Sequence, residues 1–210
     1  MSNLQRRALL KAAACACLTA PLAPLARLAL AEGVPPGMHH VKGRVTVNGV
    51  AAHEGSDVKV GDTVATEVGA EAVYVIGKDA FLQRASSQVS FGADALRVLT
   101  GGLLSAFGKG EKNIVTPAAV IGIRGTACDI EVEEQRTYFC LCYGTADVQP
   151  FAAPEQRRMV TATHHDAPLY IYTDRQMREK LIQAKMIGHT DEELIMLEGL
   201  VGRKPPFVAR

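Results

Sequence analysis

Thr116-Pro117-Ala118-Ala119-Val120-Ile121-Gly122-Ile123-Arg124-Gly125-Thr126 decides how this chain is read. An alternating apolar run leads into a tight Gly-Arg-Gly-Thr turn, with a strand-like segment on either side. Alternation at a period of two buries one face of a strand and leaves the other to solvent. The same pattern repeats from residue 41 to 148 as short apolar runs separated by Gly, Asp and Asn. Val45-Thr46-Val47 runs into Asn48-Gly49, a strong hairpin signal because both turn positions tolerate positive φ. Further runs lie at residues 62–66, 72–76, 80–83, 89–91, 96–99, 103–107, 114–115, 129–132 and 138–143. About ten short strands at this spacing predict an all-β, closed or rolled antiparallel architecture. Gly101-Gly102 and Gly108-Lys109-Gly110 read as turn or loop punctuation. No helix start follows them, so backbone geometry is favoured over a phosphate cradle.

The motif resembles the signature of FecR-like domains. The resemblance continues upstream through residues 41–49, 61–66 and the region of Leu103, and downstream through residues 143–148, about half of the chain. It implies a β-rich, non-catalytic FecR-like domain over residues 38–149, on the periplasmic side of a bacterial inner membrane. In its best-known setting such a domain relays ligand status to a sigma factor. The implied partner is a protein or a cell-envelope component. Full regulators of this kind carry an N-terminal cytoplasmic helical domain that holds the sigma factor, whereas here an export segment begins at once. Direct sigma-factor binding is therefore not expected. Gly122, Arg124, Gly125 and Thr126 form the structural motif, in which Arg124 is placed to hydrogen-bond strand-end carbonyls and lock the roll.

Residues 1–31 carry a processing signature: Arg6-Arg7-Ala8-Leu9-Leu10-Lys11 precedes an Ala/Leu/Cys stretch that ends at Ala29-Leu30-Ala31. Pro21, Pro24 and Arg27 keep the apolar run short of the ~20 residues a spanning helix needs, so a cleavable signal is favoured over a membrane anchor. The Arg-Arg-x-Leu-Leu-Lys order also resembles a twin-arginine signal, with Gln5 where Ser or Thr is usual. The general secretory route stays open beside it. A periplasmic location follows, with membrane contact only through an uncleaved signal. Cleavage after Ala31 removes four basic and no acidic residues, taking the formal charge from +1 to −3. No basic patch remains to support a nucleic-acid partner. The ~180 residues left suffice for one ordinary domain and an appendage.

Beyond residue 150 the strand signals fade, and residues 150–173 read as an exposed connecting segment. Residues 174–210 read as a helical tail. Met177, Leu181 and Ile182 suggest a first amphipathic helix over 174–187, closed by Gly188. Thr190-Asp191-Glu192-Glu193 is a capping box that opens a second, whose Leu194, Ile195, Leu197, Leu200 and Val201 form an apolar stripe. The stripe suits packing on the parent domain, or docking to a partner.

No Gly-x-Ser-x-Gly, His-Glu-x-x-His or P-loop is present, so an enzyme is not the expectation. What stands out is Cys140-Leu141-Cys142 on a strand, followed about 20 residues later by His164-His165-Asp166. Thiolates and imidazoles are the ligands that zinc, copper and iron favour. Residues two apart on a strand share a face, so Tyr138, Cys140 and Cys142 point the same way. Cys140, Cys142, His164 and His165 are thus the candidate ligands of a metal- or redox-cofactor site, the alternative function for this chain. Two other readings compete with it. The thiols could be core filler, since free cysteine is among the most buried residues. In an oxidising compartment Cys128 could instead pair with Cys142 or Cys140. The hairpin register discriminates. A two-residue turn centred on Glu134-Gln135 puts Asp129 opposite Cys140 and turns Cys128 to the other face, whereas one residue more sets Cys128 against Cys142. His39-His40 lies near the mature N-terminus, where solvent exposure is the expectation.

Overall fold

The computed structural model describes residues 33–208. The expected export signal lies outside them. The alternating runs form β1 (Gly37–Lys42), β2 (Val45–Val47), β3 (Val50–Ala51), β4 (Thr63–Thr66), β5 (Glu71–Ile76), β6 (Asp79–Gln83), β7 (Ser87–Phe91) and β8 (Leu96–Ala106). They continue as β9 (Glu111–Val115), β10 (Ala119–Arg124), β11 (Ala127–Val132), β12 (Arg136–Pro150), β13 (Arg158–Ala162), β14 (Leu169–Tyr172) and β15 (Leu181–Gln183). The fold is all-β with a closed barrel core, extra strands and one C-terminal helix, α1 (Asp191–Leu200). The Asn48-Gly49 turn forms between β2 and β3 as its residues predict.

Two long strands close the barrel. The first half of β8 pairs with β7 and β9, and its second half with β6 and β11. Likewise β12 pairs first with β11 and β14, then with β10 and β13. Each bends at a glycine with positive φ, Gly101 at +70° and Gly144 at +96°. A Cβ at Gly101 would sit 2.7 Å from Ser87 Cα, and one at Gly144 2.6 Å from Thr126 Cγ2. Only glycine fits either corner. The Gly101-Gly102 pair is therefore a bend inside one strand rather than the turn expected. A bend and a turn share the same composition, so alternation on both sides could not tell them apart.

Between the two sheets lies the main core, with Tyr74, Phe81, Phe91 and Phe107 joined by ring contacts of 5.1–5.7 Å between centroids. Leu103, Ile114, Ile121, Ile130, Phe139 and Leu141 complete it, all fully buried. The outer face of the sheet that contains β5, β6, β8, β11 and β12 is also apolar at Val73, Val75, Leu82 and Leu104. Leu194 and Leu197 of α1 cover it.

The tail differs from expectation. Residues 174–187 do not form the first of the two expected helices; β15 runs there instead and pairs with β14. Leu181 is buried and Ile182 exposed, the alternation of a strand on an available sheet edge. Met177, Leu181 and Ile182, on which the helix reading rested, do not by themselves distinguish the two periods. β13 and β14 likewise occupy the segment expected to be an exposed connection, so the sheet continues well beyond residue 149. The helix at 191 does begin with the capping box: Thr190 Oγ1 accepts from Glu193 N–H, and Glu193 accepts from Thr190 N–H.

Candidate functional site

β11 and β12 are joined by the short turn, so Asp129 pairs with Cys140, and Cys128 with Leu141. Cys128 therefore faces the inner core, while Cys140 and Cys142 face outward beneath the C-terminal segment. The anticipated Cys128–Cys142 disulfide is not formed, nor is one with Cys140; all three are buried free cysteines. The pleat separates their side chains across the sheet.

His165 reaches Cys140 from the loop after β13. Its backbone N–H donates to the Cys142 carbonyl at 3.0 Å, and its left-handed φ of +53° aims the ring inward. His165 Nδ1 lies 3.9 Å from Cys140 Sγ. His164, expected beside it as a ligand, turns away: its ring stacks on Phe207 at 4.2 Å and its Nε2 meets both oxygens of Asp191 at 2.9 Å. The fourth inward group is His189, which stands just before the cap of α1. Its Nε2 lies 3.5 Å from Cys142 Sγ and 2.9 Å from His165 Nδ1. Cys140, Cys142, His165 and His189 thus offer four ligand atoms within 4.8 Å of one another, every residue buried. His189 escaped the sequence reading because it sits 47 residues beyond Cys142 beside an unremarkable glycine, with no motif spacing to mark it.

Carboxylates back both inward histidines. His189 Nδ1 faces Asp129 Oδ2 at 3.2 Å and the Ile187 carbonyl at 3.1 Å, while His165 Nε2 faces Asp191 Oδ1 at 2.9 Å. Burial works against a charged His189, yet Asp129 and Cys140 outweigh it and raise its pKa to about 10. The Cys140 thiol is held well below its ordinary range, chiefly by its hydrogen bond with Cys142 and then by the two imidazoles. Burial pushes Cys142 the other way. The cluster therefore concentrates negative charge on Cys140 and positive charge on His189.

A second feature lies on the opposite sheet. A cavity of about 650 Å³ opens over β9, β10, β12 and β13. Gly122 forms part of its lining, and its cross-strand neighbours Asn113 and Asp147 also contribute. Glu111 pairs with Arg124, and Asp147 with Arg157. Arg124 is exposed on this ion pair and binds no strand-end carbonyl among the described contacts, a correction to the locking role expected of it. The outward face of β10 points it at solvent. Thr126, in contrast, is buried in the corner against Gly144, so the motif is structural at its end.

No family model matches the chain, and no curated protein does. Among solved structures, two crystal structures of a "putative anti-sigma factor" from Parabacteroides distasonis are similar to it, each with 11% identity and a TM-score of 0.48. The alignment covers 65% of this chain and 65% or 64% of that one, less than two thirds of its length.

Proposed function

We propose that this chain is an exported, non-catalytic sensing or scaffold module that binds an extended polar segment of a protein partner in the envelope. The observation that carries this reading is the 650 Å³ groove along the motif strand β10. At Gly122 the sheet lacks a side chain between Asn113 and Asp147, which leaves room for a partner's side chain. Arginines and carboxylates on both sides, Arg124 with Glu111 and Arg157 with Asp147, can exchange their exposed pairs for a partner's charges. Such exchange confers specificity more than affinity. The reading also agrees with the FecR-like resemblance, which implies a non-catalytic domain with a protein or cell-envelope partner.

The test is a photo-crosslinking amino acid placed at Asn113 in the exported protein within its native host. A discrete adduct from this position, absent from a probe at the exposed edge residue Val50 and lost with Arg124→Glu/Arg157→Glu, is expected. A probe at Asn113 that yields no adduct in a folded protein refutes the groove as the recognition surface.

A further inference from the structure

We propose that Cys140, Cys142, His165 and His189 bind one zinc-class divalent cation, which clasps the C-terminal segment to the barrel. The proposal is independent of the groove on the other sheet.

The decisive observation concerns ring nitrogens. His189 Nδ1 faces two acceptors, the Asp129 carboxylate and the Ile187 carbonyl, so that nitrogen carries the hydrogen. His165 Nε2 faces the Asp191 carboxylate, so it carries the hydrogen there. With the hydrogens fixed on the far nitrogens in this way, His189 Nε2 and His165 Nδ1 face each other at 2.9 Å, and whatever sits between them is either a proton or a cation that takes its place. Two lone pairs at that distance repel unless a cation or an extra proton lies between them. Cys140 and Cys142 supply two sulfurs to the same point. A thiolate and imidazole set of this kind selects zinc in tetrahedral geometry, and with four protein ligands the site is closed and structural.

Dimensions agree. Bonds of about 2.0–2.3 Å place tetrahedral ligand atoms roughly 3.3–3.8 Å apart. The contacts of 2.9, 3.5 and 3.9 Å straddle that range, and all four ligand atoms lie within 4.8 Å of one another. Sub-ångström adjustment of side chains admits the ion. Carboxylates on the far nitrogens of both histidines are the usual support of metal-bound imidazole, orienting the ring and raising its basicity. Binding displaces the Cys142 proton and the proton between the two rings, and the resulting pair of thiolates neutralises the dication.

Three parts of the chain meet at the ion. The cysteines belong to β12, His165 to the loop after β13, and His189 to the segment that leads into α1. That segment otherwise holds to the barrel by single bonds, such as the Ile187 N–H to the Tyr138 hydroxyl at 3.0 Å. An ion would tie these three parts of the chain together at one point.

Cobalt(II) titration of the reduced, chelator-stripped full chain is the test. One equivalent is expected to give tetrahedral visible bands and a thiolate-to-cobalt charge-transfer band, both abolished by zinc. His189→Ala and Cys142→Ser should lose them, Asp129→Asn should weaken binding by about 10–100-fold, and His164→Ala should leave it unchanged. Zinc should also slow tryptic cleavage after the exposed Lys185. The wild-type titration decides the matter even if a ligand variant fails to fold. Absence of thiolate charge transfer overturns the site, as does full binding by folded His189→Ala; unchanged cleavage at Lys185 overturns the clasp.

Discussion

The two sides of the β5–β6–β8–β11–β12 sheet are both apolar, but they are held in different ways. Inside, Tyr74, Phe81, Phe91, Phe107 and their aliphatic neighbours fill the barrel, and the Tyr74 hydroxyl is held by the buried Gln83. Outside, Leu194 and Leu197 cover a smaller apolar patch, and much of the attachment is polar. Arg84 binds Glu193 through both terminal guanidinium nitrogens at 2.7–2.8 Å, Arg203 donates to the Lys78 and Ala106 carbonyls at 2.7 and 3.3 Å, and Tyr143 donates to Glu198. Inner packing is non-directional and fails only when the whole domain unfolds. The outer attachment consists of separable links, so the C-terminal segment can loosen while the barrel stands.

That contrast can be broken at several points. The largest effect is expected from Phe81→Ala, which removes a ring in contact with three others and should cost about 3–5 kcal/mol of global stability in denaturant unfolding. A variant within 1 kcal/mol of the parent would show that the barrel core is not the stabilising region. Leu197→Ala, equally buried, should cost about 2–4 kcal/mol. Hydrogen exchange should register that loss in residues 184–207 and spare β8 and β11; uniform acceleration across the barrel would merge the two regions into one cooperative unit.

Smaller changes sharpen the picture. Arg84→Ala should weaken tail attachment by about 1 kcal/mol, because both partners are only part-exposed and the pairing is bidentate. Its hydrogen bonds hold the Glu193 carboxyl below its ordinary 4.5. A lowered carboxylate contributes fully above that ordinary value, and its contribution is lost as pH falls through the lowered one. Acidification below 4.5 should therefore expose residues 184–207 to protease before the barrel melts, and Glu193→Gln should flatten that acid limb; an unchanged limb would assign it to another group. The smallest effect is expected for Arg124→Ala, within about 0.5 kcal/mol by thermal melting, since its side chain is 75% exposed. A large drop in melting temperature there would restore the locking role.

The strands were legible because alternation is a local property, written in consecutive residues. Val45–Val47 with Asn48-Gly49 and the motif strand Ala119–Arg124 appear where their patterns place them. The bend at Gly101 was not legible, since a glycine pair between two alternating runs fits a turn as well as a kinked strand. β15 was missed because Met177, Leu181 and Ile182 fit one face of a helix, and an open edge on β14 settled their conformation instead. Of the candidate ligands, Cys140, Cys142 and His165 do converge, whereas His164 is directed to Asp191 by the left-handed turn of its neighbour.

By itself the sequence determined an all-β domain, the turns that punctuate it, the shared face of Cys140 and Cys142, and the cap of the final helix. Each depends on residues a few positions apart, where backbone geometry leaves few alternatives. Only the tertiary structure decided that Cys128 lies across the sheet from the other two cysteines, that Arg124 faces solvent, and that His189 and Asp129 join the site. Those outcomes depend on strand register and on which surface the tail covers, and both are set by packing between segments that the chain order keeps far apart.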